Sequence, residues 1–119
     1  PDARFDLYHG STPYIADMNV LGKYFENVTL NMCWMHIMGP EMSRRALREW
    51  LDAVPVTKLF AFGGDYQVVE KVYGHLTLAR WNVAVVLAES IRAGRMTREQ
   101  ALRVARLWFH DNPKRWYGF

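Results

Sequence analysis

The chain has 119 residues, of which 50% are hydrophobic and 23% charged, with a formal charge of +3. That composition supports a buried core and excludes a disordered tail. The length excludes a complete (β/α)8 barrel, which takes about 250 residues.

Phe5-Asp6-Leu7-Tyr8-His9-Gly10 reads as a strand ending at glycine. Thr12 then stands as N-cap, and Pro13 in the first turn, of a helix over residues 14–25. Ile15, Met18, Leu21 and Phe25 are its expected buried stripe. Residues 28–34, rich in β-branched and aromatic types, read as the second strand. Gly39-Pro40 separates it from a helix over residues 41–53, which Pro55 stops. The apolar run of residues 58–62 has the look of a strand covered on both faces.

Gly63-Gly64-Asp65-Tyr66 follows, then a long helix over residues 67–93 with Gly94 as its C-terminal cap. Thr97-Arg98-Glu99-Gln100 has the form of a capping box opening a last helix that runs to residue 110, and Pro113 ends it or starts a final turn. The order β-α-β-α-β-α-α predicts a single α/β domain with parallel strands and right-handed crossovers. Three such strands alone would leave two open edges and one apolar face bare, so a homo-oligomer is expected.

The longest near-apolar stretch, residues 81–88, is broken by Asn82 and is far short of a membrane span. The single cysteine, Cys33, excludes an internal disulfide and suits a reducing, cytoplasmic setting. Charge is uneven, with seven basic and two acidic residues from Arg92 onward. A basic tail with aromatics suggests a nucleic-acid surface. However, Arg95, Arg98, Arg103 and Arg106 fall among apolar positions at helical spacing, which favours solvated helix faces instead.

In parallel α/β folds, functional groups gather at the C-terminal ends of the strands. Those ends here carry His9, Trp34 with His36 nearby, and Asp65. A carboxylate beside a Gly-Gly turn suits a divalent metal or a proton acceptor, and equally a helix cap. His9 suits a metal ligand, a substrate donor, or an ordinary satisfied polar residue. Cys33 reads as a small core residue, and His110 as a partner of a helix C-terminus. No phosphate-binding glycine motif occurs.

Phe62-Gly63-Gly64-Asp65-Tyr66, followed by Tyr73-Gly74-His75 and Ala79-Arg80, resembles the last barrel strand of the metal-dependent amidohydrolase superfamily. Residues 5–14 resemble its sixth strand, and residues 27–34 its seventh. The closing Ala101-Leu102-Arg103-Val104-Ala105, with Asn112-Pro113 and Trp116-Tyr117, resembles its C-terminal helix. The likeness is greatest to the branch related to uronate (glucuronate) isomerase.

The resemblance implies a partial (β/α)8 barrel, strands six to eight with their helices plus a C-terminal helix. It implies that Asp65 holds a metal and shuttles a proton, that His9 orients substrate or nucleophile, and that Trp34, Tyr73 and Arg80 contact a small-molecule substrate. A divalent metal, zinc, is expected in the longer parent, which would be a hydrolase, a decarboxylase or a uronate-type isomerase. The superfamily's His-x-His pair and strand-five histidine do not occur here. Residues 1–119 are therefore expected to be a catalytically silent piece without a metal of their own. Pro1-Asp2-Ala3-Arg4-Phe5, with neither an initiator Met nor a signal-peptide pattern, agrees with that expectation.

Overall fold

A computed structural model describes residues 3–119. Three parallel strands, β1 (Phe5–Leu7), β2 (Val28–Asn31) and β3 (Leu59–Phe60), form one sheet in the order β1-β2-β3. Register pairs Asp6 with Thr29, Leu30 with Leu59, and Asn31 with Phe60. The strands are shorter than expected because the chain bends into turns soon after each ladder ends. No described helix is long and apolar enough to cross a membrane.

Helix α1 (Ile15–Tyr24) follows β1. Thr12 is not its cap: the N-cap is Tyr14, and the Thr12 hydroxyl instead donates to Met35 Sδ at 3.1 Å. A short helix, α2 (Met35–Met38), was not expected and turns the chain from β2 into α3 (Pro40–Ala53). Helix α4 (Glu70–Arg92) follows β3 after a long turn. Gly94 ends it as expected, in the left-handed region at φ +68°. The capping box opens α5 (Arg98–Arg106): Thr97 Oγ1 accepts from the Gln100 backbone at 3.1 Å, and Gln100 Oε1 accepts from the Thr97 backbone at 2.8 Å. One π-helical turn (Leu107–Asp111) then leads into α6 (Asn112–Tyr117).

Alternation along the strands divides the sheet into two unlike faces. Val28, Leu30, Leu59 and Ala61 join Met18 of α1, Trp50 of α3 and Val83 of α4 in one apolar core. Asp6, Thr29, Asn31 and Phe60 occupy the opposite face. That face is neither bare nor apolar throughout: α6 folds across it, and Phe60 meets Trp116 and Tyr117 at ring distances of 6.3 and 6.0 Å. Beneath α6, Asp6 accepts from Thr29 at 3.2 Å, from Asn31 at 2.8 Å, and from the Tyr117 hydroxyl.

The outer edge of β3 is also covered. Its Leu59 carbonyl accepts from Asn112 Nδ2 at 2.9 Å, and just past its end the Ala61 N–H donates to the Trp108 carbonyl at 3.0 Å. The expected open face and second open edge are thus both closed by the C-terminal segment. The outward face of α1 stays exposed through Val20, Leu21 and Tyr24, and that of α4 through Tyr73, Leu78 and Trp81. The middle helix α3 has Met42 as its one large exposed hydrophobic residue.

Candidate functional site

All three strand ends reach one pocket, a cleft of about 360 Å³ lined by His9, Thr12, Trp34, Met38 and Asp65. His9, Trp34 and Asp65 each take a left-handed backbone, at φ 63°, 62° and 52°. Non-glycine residues there cost about 1–3 kcal/mol apiece and persist only when their surroundings hold them. Each strand therefore turns sharply at its end and aims a side chain into common space.

Local contacts fix these turns. The Trp34 backbone N–H donates to the Gly63 carbonyl at 3.1 Å, tying the second strand end to the third. His9 Nδ1 lies 3.1 Å from the Cys33 carbonyl, tying the first to the second. A carbonyl only accepts, so Nδ1 carries a proton, which in the neutral ring leaves the lone pair on Nε2. The Cys33 N–H in turn donates to Asn31 Oδ1 at 2.9 Å.

Gly63 provides room at the centre. A Cβ there would lie 2.7 Å from Cys33 Cβ and 2.9 Å from its Sγ. Cys33 is buried, as expected of a small core residue. Its thiol, a His9 ring nitrogen and an Asp65 carboxylate oxygen lie within 4.8 Å of one another. Burial, and then the charges of Asp65 and Asp6, push the thiol up to about 11. Nothing in the sequence alone places Cys33 beside His9 and Asp65, because three separate segments meet there.

Asp65 is not a helix cap, since α4 begins at Glu70 with Val69 at its N-cap and no side-chain cap bond. The imidazole nitrogen, thiol and carboxylate are donors that zinc accepts. Tyr73 is exposed on α4, and Arg80 lines a separate groove between α4 and α5 with Leu87, Ala101 and Leu102. Neither belongs to the lining of the strand-end pocket.

The remaining histidines lie elsewhere. His36 is buried, its Nε2 donating to the Ala61 carbonyl at 2.8 Å and its Nδ1 accepting from Asn82 at 3.2 Å. Arg44 Nε donates to Asn82 at 3.0 Å, completing a buried polar chain. Burial holds the His36 imidazole down to about 4. His75 is buried among Phe62, Tyr66 and His36, with neither ring nitrogen bonded among the described residues. His110 pairs with Asp111 at 2.7 Å rather than serving only a helix terminus.

A larger cleft of about 510 Å³ opens beside Val56, Thr57, Arg95 and Arg103. Val56 and Thr57 directly precede β3, so this cleft sits by the N-terminal end of that strand, where the catalytic groups of parallel folds are not found. No protein-family model matches the chain, and a search of curated proteins finds no relative.

Proposed function

We propose that the chain is the portion of a metal-dependent amidohydrolase-type barrel enzyme that runs from strand six to the C-terminal helix. The observation that carries this reading is the convergence of His9, Trp34 and Asp65 on one pocket at the C-terminal ends of three parallel strands. The exposure pattern supports it. The outer helices α1 and α4 keep large apolar residues in solvent while the middle helix α3 is covered on both flanks, as in a barrel segment whose neighbouring units lie to either side.

In this reading the parent is a cytoplasmic enzyme acting on a small molecule. It hydrolyses a C–N or related bond, decarboxylates, or isomerises a uronate-type sugar acid. Asp65 holds a divalent ion together with ligands from other strands. When bound, such an ion polarises a carbonyl and lowers the pKa of a coordinated water. Asp65 moves a proton at its carboxylate oxygen between water and leaving group. His9 offers Nε2 to orient substrate or nucleophile, and Trp34 walls the pocket against solvent. The chain alone turns nothing over, because the His-x-His pair and strand-five histidine lie outside it.

The test is the upstream reading frame together with the protein it encodes. A His-x-His about 200 residues or more before Pro1, on the first strand of a barrel of normal length, is expected. In that protein Asp65→Asn should lower kcat by about 10²–10⁴-fold. A frame without the motif, or turnover indifferent to Asp65→Asn, contradicts the reading.

One observation favours a second reading, a non-catalytic α/β module that oligomerises. Trp108 and Asn112 bond the edge of β3, where a closed barrel needs its first strand. Both readings allow an oligomer, so thermal melting separates them: the module predicts one cooperative transition, whereas a piece cut from a barrel predicts none.

A further inference from the structure

We infer that Cys33 is a metal ligand, and that His9, Cys33 and Asp65 form a three-donor site for zinc or a similar borderline cation within this chain alone. This goes beyond the reading above and shares only Asp65 as a ligand with it. That reading takes the missing ligands from other strands, whereas here a sulfur donor comes from the second strand end.

Geometry is the first support. One donor arrives from each of the three strand ends, all within 4.8 Å of one another. Ligands bound at about 2.0–2.3 Å in a tetrahedron lie about 3.5 Å apart. Closure of at most about 1.3 Å per pair therefore brings them together. Three protein donors leave a fourth position for water or substrate. A thiolate selects zinc or cobalt over magnesium and calcium, which prefer oxygen throughout.

The surrounding contacts are the second support. A histidine that ligates a metal almost always donates its other ring N–H to a carboxylate, carbonyl or water. His9 Nδ1 lies 3.1 Å from the Cys33 carbonyl, so this ring has such a partner when Nε2 ligates. Cys33 is likewise held in advance, through its N–H to Asn31, which is itself anchored on Asp6. Gly63 supplies the space that the Cys33 side chain occupies. A cysteine serving only as core filler would have no reason to face an exposed imidazole and carboxylate. On binding, the S–H bond breaks, its proton passes to solvent, and a sulfur–metal bond forms.

The experiment is a cobalt(II) titration of the reduced 119-residue chain, followed by absorbance and by zinc displacement. We expect one ion per chain, a thiolate-to-cobalt charge-transfer band in the near ultraviolet, and release of a proton. The outer-shell partners of metal ligands are worth 10–100-fold in affinity, so Cys33→Ser should cost at least about 100-fold and abolish the band. His9→Ala and Asp65→Asn should weaken binding while the band persists at saturation. The band in the unmodified chain needs no variant, so a misfolded Cys33→Ser leaves the test intact.

Cobalt bound without the band, or with unchanged affinity in Cys33→Ser, overturns the inference. If Asp65→Asn still weakens binding in that case, the barrel reading survives. Absence of stoichiometric binding also overturns the inference and leaves the barrel reading standing, since that reading takes its other ligands from elsewhere.

Discussion

Asn31 donates its side-chain amide to the carboxylate of Asp6 at 2.8 Å, and its amide oxygen accepts the Cys33 backbone N–H at 2.9 Å. One residue thus links the polar face under α6 to the turn that builds the strand-end pocket. Asn31→Ala strips a partner from a half-buried carboxylate and orphans the Cys33 N–H. A loss of about 1–3 kcal/mol is expected from the unmet groups. Urea denaturation of the two proteins measures it, and an unchanged midpoint would show that neither bond matters.

The buried histidines set the pH dependence of stability. Burial lowers His36 from 6.5 to about 4 and moves His75 in the same direction. Between those pH values the unfolded chain binds more protons than the native one, so stability rises with pH. The full contribution is present above about pH 6.5 and is lost as pH falls toward 4. Asp6 acts with the opposite sign. Burial raises it above 3.8, so its protonation restores stability as pH falls through its folded value. Urea midpoints at several pH values between neutral and mildly acidic should therefore decline, and His36→Gln should flatten the slope. Midpoints that hold constant over that range contradict the assignment.

His75 is an uncompensated polar group, for neither ring nitrogen has a partner among the described residues and the ring packs on Phe62 and Tyr66 at 5.0 and 5.6 Å. Burying a polar group without a hydrogen bond costs about 1–3 kcal/mol by mutational measures. His75→Phe keeps an aromatic ring and removes that cost. It should stabilise the chain by about 1 kcal/mol, read from thermal and urea melts. Destabilisation would mean that the imidazole has a role that these contacts do not explain.

Gly63→Ala tests the packing at the pocket centre. The added methyl would lie 2.7 Å from Cys33 Cβ and 3.0 Å from its backbone Cα. The thiol can rotate away, but Cys33 Cβ and its backbone Cα cannot, so about 1–3 kcal/mol is lost and the Cys33 thiol shifts. Unchanged stability and unchanged thiol reactivity toward a disulfide reagent would contradict this close approach.

Much of the fold follows from local signals. Three apolar runs separated by helical patterns give the parallel order, and Thr97 with Gln100 encodes its own helix start. The strand-end rule finds His9, Trp34 and Asp65 because parallel topology sends those ends to the same side. What stays hidden depends on distant partners. Asp6 and Asn31 look like ordinary strand polar residues until register brings them together under Tyr117. The path of α6 across the sheet rests on Phe60 meeting Trp116 and Tyr117, contacts more than fifty residues apart in sequence. Thr12 has the right type for a cap, but its hydroxyl turns toward Met35 instead. Arg80 and Tyr73 follow the motif along the chain, yet the turn of α4 carries them away from the pocket.

The most direct test of the strand-end site is a crystal of the chain grown with zinc and measured at the zinc edge. The three-donor site predicts an anomalous peak in the cleft, about 2.0–2.2 Å from a carboxylate oxygen of Asp65 and a ring nitrogen of His9 and about 2.3 Å from the Cys33 sulfur. His9 and Asp65 found apart, or zinc bound elsewhere with this cleft empty, would contradict it.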